Sequence, residues 1–160
     1  MQGDARVIEF LNEQLTAELT AINQYWLHYR MQENWGFTKL AKYTRHESID
    51  EMKHADRLAE RILFLEGLPN FQKLFPLRIG QTVKEQFKCD MKIEEEAIDR
   101  LRQGIEYMRS VGDVTSANIF EEILEDEEHH IDYLETQLDL IEKLGEQLYL
   151  QNVTEHPEAS

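Results

Sequence analysis

Two glutamate–histidine pairs in this sequence carry metal-ligand spacing: Glu51 with His54, and Glu127 with His130, each at i and i+3. Residues three apart share one face of a helix, so each pair aims a carboxylate and an imidazole at one point. Two more glutamates complete a repeat, because Glu18 to Glu94, Glu51 to Glu127 and His54 to His130 are each 76 residues apart. With 23 Glu among 160 residues the repeat alone is weak, and Glu9 and Glu85 share the same separation.

Hairpin geometry separates the two cases. In an antiparallel helix pair, residues equidistant from the turn lie at one level. The midpoint between Glu18 and the Glu51/His54 pair falls near residue 35, beside Gly36, and that between Glu94 and the Glu127/His130 pair near residue 111, beside Gly112. From Glu9 the midpoint falls near residue 31, inside a helix. Glu18, Glu51, His54, Glu94, Glu127 and His130 are therefore expected at one level of a bundle, related by a pseudo-twofold axis.

Four carboxylates converging in a core are untenable without cations, because burial penalises each charge and like charges raise one another's pKa. Two divalent metals offset much of that charge. Four carboxylates and two imidazoles suit iron or manganese, and the lack of thiolate argues against structural zinc. This is the di-iron carboxylate arrangement, with a Glu from each of two helices and a Glu-x-x-His from each of the others. A lone Glu-x-x-His is ordinarily a solvated pair on an acidic helix; six residues in register are not. The neighbours Glu47, Glu95, Asp126, Glu128 and His129 lie off the ligand direction by about 100° per residue.

The elements that must carry these residues are legible. Gly and Pro are few, 7 and 3, and gather at Gly36, at Gly67 to Gly80, at Gly112 and at Gly145. Between the breaks the apolar residues recur with helical period. The stripes are Ile8, Leu11, Leu15, Ile22, Tyr25; then Tyr43, Leu58, Ile62, Leu65; then Val83, Phe87, Ala97, Leu101, Ile105, Met108; then Ile123, Ile131, Leu134, Leu138, Ile141. Helices are predicted over about 4–35, 39–66, 83–111 and 113–144, with a short one over 146–150 and a frayed polar tail over 152–160. Short breaks after the first and third helices predict antiparallel hairpins, and the long breaker-rich stretch between the second and third predicts a crossover. The expected fold is all-α: one ferritin-like four-helix bundle spanning 1–160, with one long crossover and a short C-terminal fifth helix.

Composition narrows the partners. The formal charge is −15, from 17 basic and 32 acidic residues. That argues against nucleic acid, whose phosphates need a basic face. No apolar run is long enough to span a membrane. The lone Cys89 excludes a disulfide framework or a CxxC site, which fits a reducing compartment, and nothing in the N-terminal residues reads as a signal. The cytoplasm is the expected location.

The sequence closely resembles bacterioferritin over essentially its whole length. The match rests on Glu18 in LTAELTAINQYWLH, on HESIDEMKHADR with Glu51, Met52 and His54, on ILFLEGLPN, and on EDEEHHIDYLETQLDLI with Glu127 and His130. The resemblance implies a bacterial cytoplasmic cage of 24 subunits that oxidises Fe²⁺ with O₂ or H₂O₂ and stores ferric mineral. It implies that the six residues are the ferroxidase ligands. It also implies a haem b for each subunit pair, with Met52 as its axial ligand shared across a twofold axis. Either one or two subunit types can build such a cage, and a ferredoxin is an expected electron donor for iron release. His46 and Asp50, at i and i+4, match an inner-surface iron site of some family members; a solvated pair is the competing reading. Tyr25 shares the face of Glu18, either bonding a ligand, relaying an electron or packing the core. The run Glu94-Glu95-Glu96 departs from the family pattern, and register alone selects Glu94. A rubrerythrin, a longer reductase subunit, a miniferritin and a plain helical interaction module fit less well. The first lacks its CxxC module here, the second needs more chain, the third lacks the second Glu-x-x-His, and the fourth leaves the six residues unexplained.

Overall fold

A computed structural model describes residues 1–155. It contains α1 (Ala5–Asn34), α2 (Thr38–Phe64), α3 (Val83–Ser110), α4 (Val114–Leu144) and α5 (Glu146–Asn152). The expected bundle with one crossover and a short fifth helix is what forms. Helix ends shift by one or two residues, and α5 extends two residues further than its periodicity implies. Residues 156–160 of the expected tail lie outside the described residues.

The turns have local causes. Asp4 caps α1 by accepting from the N–H groups of Arg6 and Val7, and Thr82 caps α3 by accepting from Glu85. After α1, Gly36 takes φ 89°, while Phe37 N–H donates to the carbonyl of Gln32. After α3, Gly112 takes φ 81°, while Asp113 N–H donates to Met108. Both are left-handed helix stops that favour glycine. After α2 it is Glu66, not Gly67, that takes the left-handed position, at φ 64°.

The chain order α1 up, α2 down, α3 down, α4 up follows from contacts at the two ends. Gly3 N–H donates to Leu65 O, placing the end of α2 beside the start of α1. Gln32 bonds Gln86, placing the start of α3 beside the end of α1. The crossover, residues 65–82, therefore runs the bundle's length. Residues of α1 spaced along one face hold it: Asn12 accepts from Asn70 N–H, Thr20 from Phe75, Gln24 from Arg78 and His28 from Gly80. α2 has no side-chain cap. The carbonyl of Val153, just past α5, accepts from Lys39 and Leu40 N–H instead, which satisfies donors that the helix leaves unpaired.

The apolar core is in two parts. One surrounds Leu11, Leu15, Leu58, Leu101 and Phe120; the other surrounds Leu40, Phe87, Leu134 and Tyr149. Between them lies a buried polar layer.

Candidate metal centre

All six residues expected at one level are buried, none above 9% exposed. Potential ligand atoms of Glu18, Glu51, His54 and Glu127 lie within 4.8 Å of one another, and so do those of Glu51, Glu94, Glu127 and His130. Glu51 and Glu127 belong to both groups. Glu18 comes from α1, Glu51 and His54 from α2, Glu94 from α3, and Glu127 and His130 from α4.

The two halves differ in detail. His54 Nδ1 lies 3.2 Å from Glu127, 3.5 Å from Glu18 and 3.8 Å from Glu51. His130 Nδ1 lies 3.2 Å from Glu94 Oε1 and 3.6 Å from Glu47. The Tyr25 hydroxyl donates to Glu94, and its ring stands edge-on to His130 at 5.2 Å between centroids. Of the roles open to Tyr25, contact with this layer is the one the geometry displays.

The electrostatics are those of a site short of positive charge. Burial, then the neighbouring carboxylates, pushes Glu51 and Glu127 well above the ordinary carboxylic range. Burial opposes charge on His54, yet the Glu127 and Glu18 carboxylates beside it outweigh that and push the imidazole to about 11. His130 rises to about 9 in the same contest, through Glu94 and Glu47. Burial opposes charge on Glu94, but the adjacent Glu127, then His130 and Tyr25, outweigh it and lower its pKa. Protons are standing in for cations here. Several ligand atoms nonetheless have no hydrogen-bond partner: His54 Nδ1, Glu18 Oε2, Glu94 Oε2 and both oxygens of Glu127. Hard oxygens and imidazole nitrogens left unpaired in a core are what a pair of divalent ions satisfies.

A cleft of about 390 Å³ reaches this layer from the surface, lined by Asp50, Glu51, His54, Asp126, His129 and His130 among others. A larger groove of about 740 Å³ runs between α3 and α4 past Glu95 and Glu128 and touches none of the six. His46 and Asp50 are not part of the buried layer; they pair with each other at 3.4 Å on a more exposed stretch of α2. Met52 is 48% exposed and points away from the layer. One turn before it, Ser48 donates to Ile22 O, and Arg45 lies over the exposed ring of Trp26.

Sequence reasoning set Asp126 and Glu47 aside, but both turn back to the layer. Asp126 Oδ2 lies 2.7 Å from His54 Nε2, and Glu47 lies beside His130. It also missed the buried polar face of α1, Thr16, Thr20, Gln24, His28 and Gln32. Their four-residue spacing is the signal that marks them.

A four-helix bundle with one long crossover and a mid-height layer of carboxylates and imidazoles defines the ferritin-like class. Residues 8–144 match the ferritin-like domain family. The chain is 70% identical over 155 residues to the bacterioferritin of Streptomyces coelicolor, covering 97% of this chain and 93% of that one. Over 157 residues it is 59% identical to the bacterioferritin of Mycobacterium avium, covering 98% of this chain and 99% of that one. The solved bacterioferritin BfrA of Mycobacterium tuberculosis superposes with TM-score 0.96 at 58% identity, covering 97% and 98% of the two chains. The Rhodobacter capsulatus bacterioferritin, described with a metal-free dinuclear site and haem iron in a crystallographic special position, superposes with TM-score 0.97 at 52% identity over both whole chains. The chain belongs to the bacterioferritins. Among its described residues no helix is long and apolar enough to cross a membrane.

Proposed function

We propose that this chain is an iron-storage subunit that oxidises Fe²⁺ at the buried carboxylate–imidazole layer and deposits Fe³⁺ as mineral inside a 24-subunit cage. The observation that carries the reading is the set of unpartnered, buried ligand atoms shared between two overlapping groups. The net reaction is 4 Fe²⁺ + O₂ + 4 H⁺ → 4 Fe³⁺ + 2 H₂O, or with peroxide 2 Fe²⁺ + H₂O₂ + 2 H⁺ → 2 Fe³⁺ + 2 H₂O. Iron is the substrate. Glu51 and Glu127, common to both groups, bridge two ferrous ions and keep them close enough to deliver two electrons to one oxidant. Glu18 with His54, and Glu94 with His130, complete the separate ends. Carboxylate oxygen stabilises the ferric product. The cleft past Asp50 and His129 gives the ions a way in or out, and His46 with Asp50 is suited to hold iron along it.

A haem b is held between two subunits. Met52 fits the group: the residue is half-exposed, and a twofold axis can bring two of them to one iron. Arg45 and Trp26 on the same face suit a propionate and a porphyrin plane. A bound haem supplies one-electron transfer, here toward the stored iron from a ferredoxin-class donor. The assembly is bacterial and cytoplasmic, of one or two subunit types. Size-exclusion mass with an absorption spectrum, followed by ferrous oxidation under oxygen, tests the whole reading. A cage-sized particle that binds haem and oxidises iron supports it. A monomer that leaves the rate of ferrous oxidation unchanged overturns it.

A further inference from the structure

The six-residue layer has a pseudo-twofold axis, but its surroundings do not. Residues related by the 76-residue repeat can be compared directly. Gln14, buried on α1, donates from Nε2 to Glu18 Oε1 at 2.9 Å. Its mate is Asp90, which turns from Glu94 to bond Gln24 at 2.8 Å and face His28 at 3.0 Å. Asp126 lies 2.7 Å from the outer nitrogen of His54. Its mate is Asp50, which faces His46 at 3.4 Å and Lys53 at 3.7 Å, not His130.

The inner atoms differ as well. On the Glu18 side, Glu18 Oε2 and His54 Nδ1 have no hydrogen-bond partner. On the Glu94 side, His130 Nδ1 is engaged with Glu94 Oε1 at 3.2 Å, and the same oxygen accepts from Tyr25. One half thus has both its terminal side chains held from behind, by Gln14 and Asp126. The other half has Glu94 Oε1 and His130 Nδ1 engaged with each other and only Glu94 Oε2 without a partner. A metal-ligating histidine whose far N–H is held by a carboxylate is oriented and more basic, and removing that partner costs about 10–100-fold in metal affinity.

We infer that the two metal positions are inequivalent: the Glu18/His54 position is the preorganised one and fills first, with Asp126 and Gln14 as its positioning residues. The inference rests on the layer being a two-metal site. Asp126 holds the His54 ring so that Nδ1 faces inward. Gln14 fixes the Glu18 carboxylate so that Oε2 does.

Zinc is a suitable probe because it is redox-silent and its anomalous scattering locates each ion. Crystals of the intact assembly are soaked at rising Zn²⁺, and the occupancy at each position is refined. The wild type is expected to fill beside His54 before His130. In Asp126→Ala the apparent affinity beside His54 falls about 10–100-fold, while that beside His130 stays within about twofold. Asp126→Asn, which keeps an oxygen acceptor for Nε2–H, recovers part of the loss, a rescue that a merely structural role does not give. Asp126 has a side chain 64% exposed, so these variants fold. Gln14→Leu is expected to weaken the same position alone. Equal filling in the wild type, filling beside His130 first, or an unchanged His54 position in Asp126→Ala overturns the inference. Failure of either position to take zinc at any concentration overturns the two-metal site itself, a result distinct from equal filling.

Discussion

His28 on α1 and Asp90 on α3 meet at 3.0 Å, Nδ1 to Oδ1, with His28 wholly buried. The other imidazole nitrogen accepts from Gly80 N–H at 3.0 Å. Acceptance at Nε2 leaves the ring proton on Nδ1, which lies beside the carboxylate without a formed hydrogen bond to it. One side chain thereby ties α1, α3 and the end of the crossover together. His28→Leu leaves the buried Gly80 N–H without its acceptor and takes the imidazole from beside Asp90. A loss of about 1–3 kcal/mol per buried unpaired group is expected, which lowers the melting temperature by several degrees at this chain length. An unchanged calorimetric midpoint would remove His28 from this role.

The metal-free protein is expected to lose stability as pH rises. His130 and His54 titrate at about 9 and about 11 in the fold, against 6.5 in the open chain. Each contributes fully below pH 6.5, and the contribution disappears as pH climbs through the folded value. Glu51 and Glu127 have raised values and act in the same direction. Glu94, lowered, acts oppositely, and only as pH falls through the carboxylate range. Scanning calorimetry of chelator-treated protein should show a lower midpoint at pH 9 than at pH 6.5. Zinc should flatten that slope, because metal ions replace the protons. A midpoint that rises over this interval contradicts the assignment.

The bundle was legible because its turns are marked by Gly36 and Gly112 and its stripes keep one phase through Glu18 and Glu94. Two features were not. Asp126 sits one residue from Glu127, so helical period sends it outward; only the position of His54 on α2 shows that its carboxylate returns to the layer. The crossover carries no periodicity, and its path depends on backbone donors at Asn70, Phe75, Arg78 and Gly80, which every sequence possesses. The acceptors that receive them lie on α1, within a face whose apolar neighbours dominate the pattern.

Glu127 is common to both ligand groups, and neither of its oxygens has a hydrogen-bond partner. Glu127→Gln keeps the shape and halves the ligand capacity. Loss of an outer partner alone costs about 10–100-fold in metal affinity or activity, so loss of a shared ligand should slow ferrous oxidation by at least as much. Absorbance of ferric product after mixing with Fe²⁺ in air measures it. Glu18→Ala should also slow the reaction. Its removal takes a ligand from one group only, so Glu127→Gln should be the more damaging. Rates equal to the wild type in both variants would place the oxidation elsewhere.

Binding of zinc to the metal-free site should release protons. Cations cannot share His54 Nδ1 or a protonated Glu51 or Glu127 with hydrogen, so the ions displace what the layer holds in their absence. Titration calorimetry in two buffers of different ionisation enthalpy reads the number released. That number should fall as pH rises from 6.5 toward 9, where His130 has already shed part of its proton. A pH-independent heat in both buffers would mean that the layer is not protonated as its burial and crowding require.

Met52 tests the haem reading apart from the iron layer. It is 48% exposed, and its neighbour Glu51 points the opposite way, into the bundle. Met52→Leu is nearly volume-conserving, and such changes cost less than about 1.5 kcal/mol even in a core; on this open face the helix should be untouched. Leucine has no thioether to coordinate iron. The variant is expected to show wild-type far-ultraviolet circular dichroism and to lose the intense absorption of coordinated haem after reconstitution. Retention of that absorption at full strength would show that another side chain ligates the haem, and the twofold pairing of Met52 would have to be abandoned.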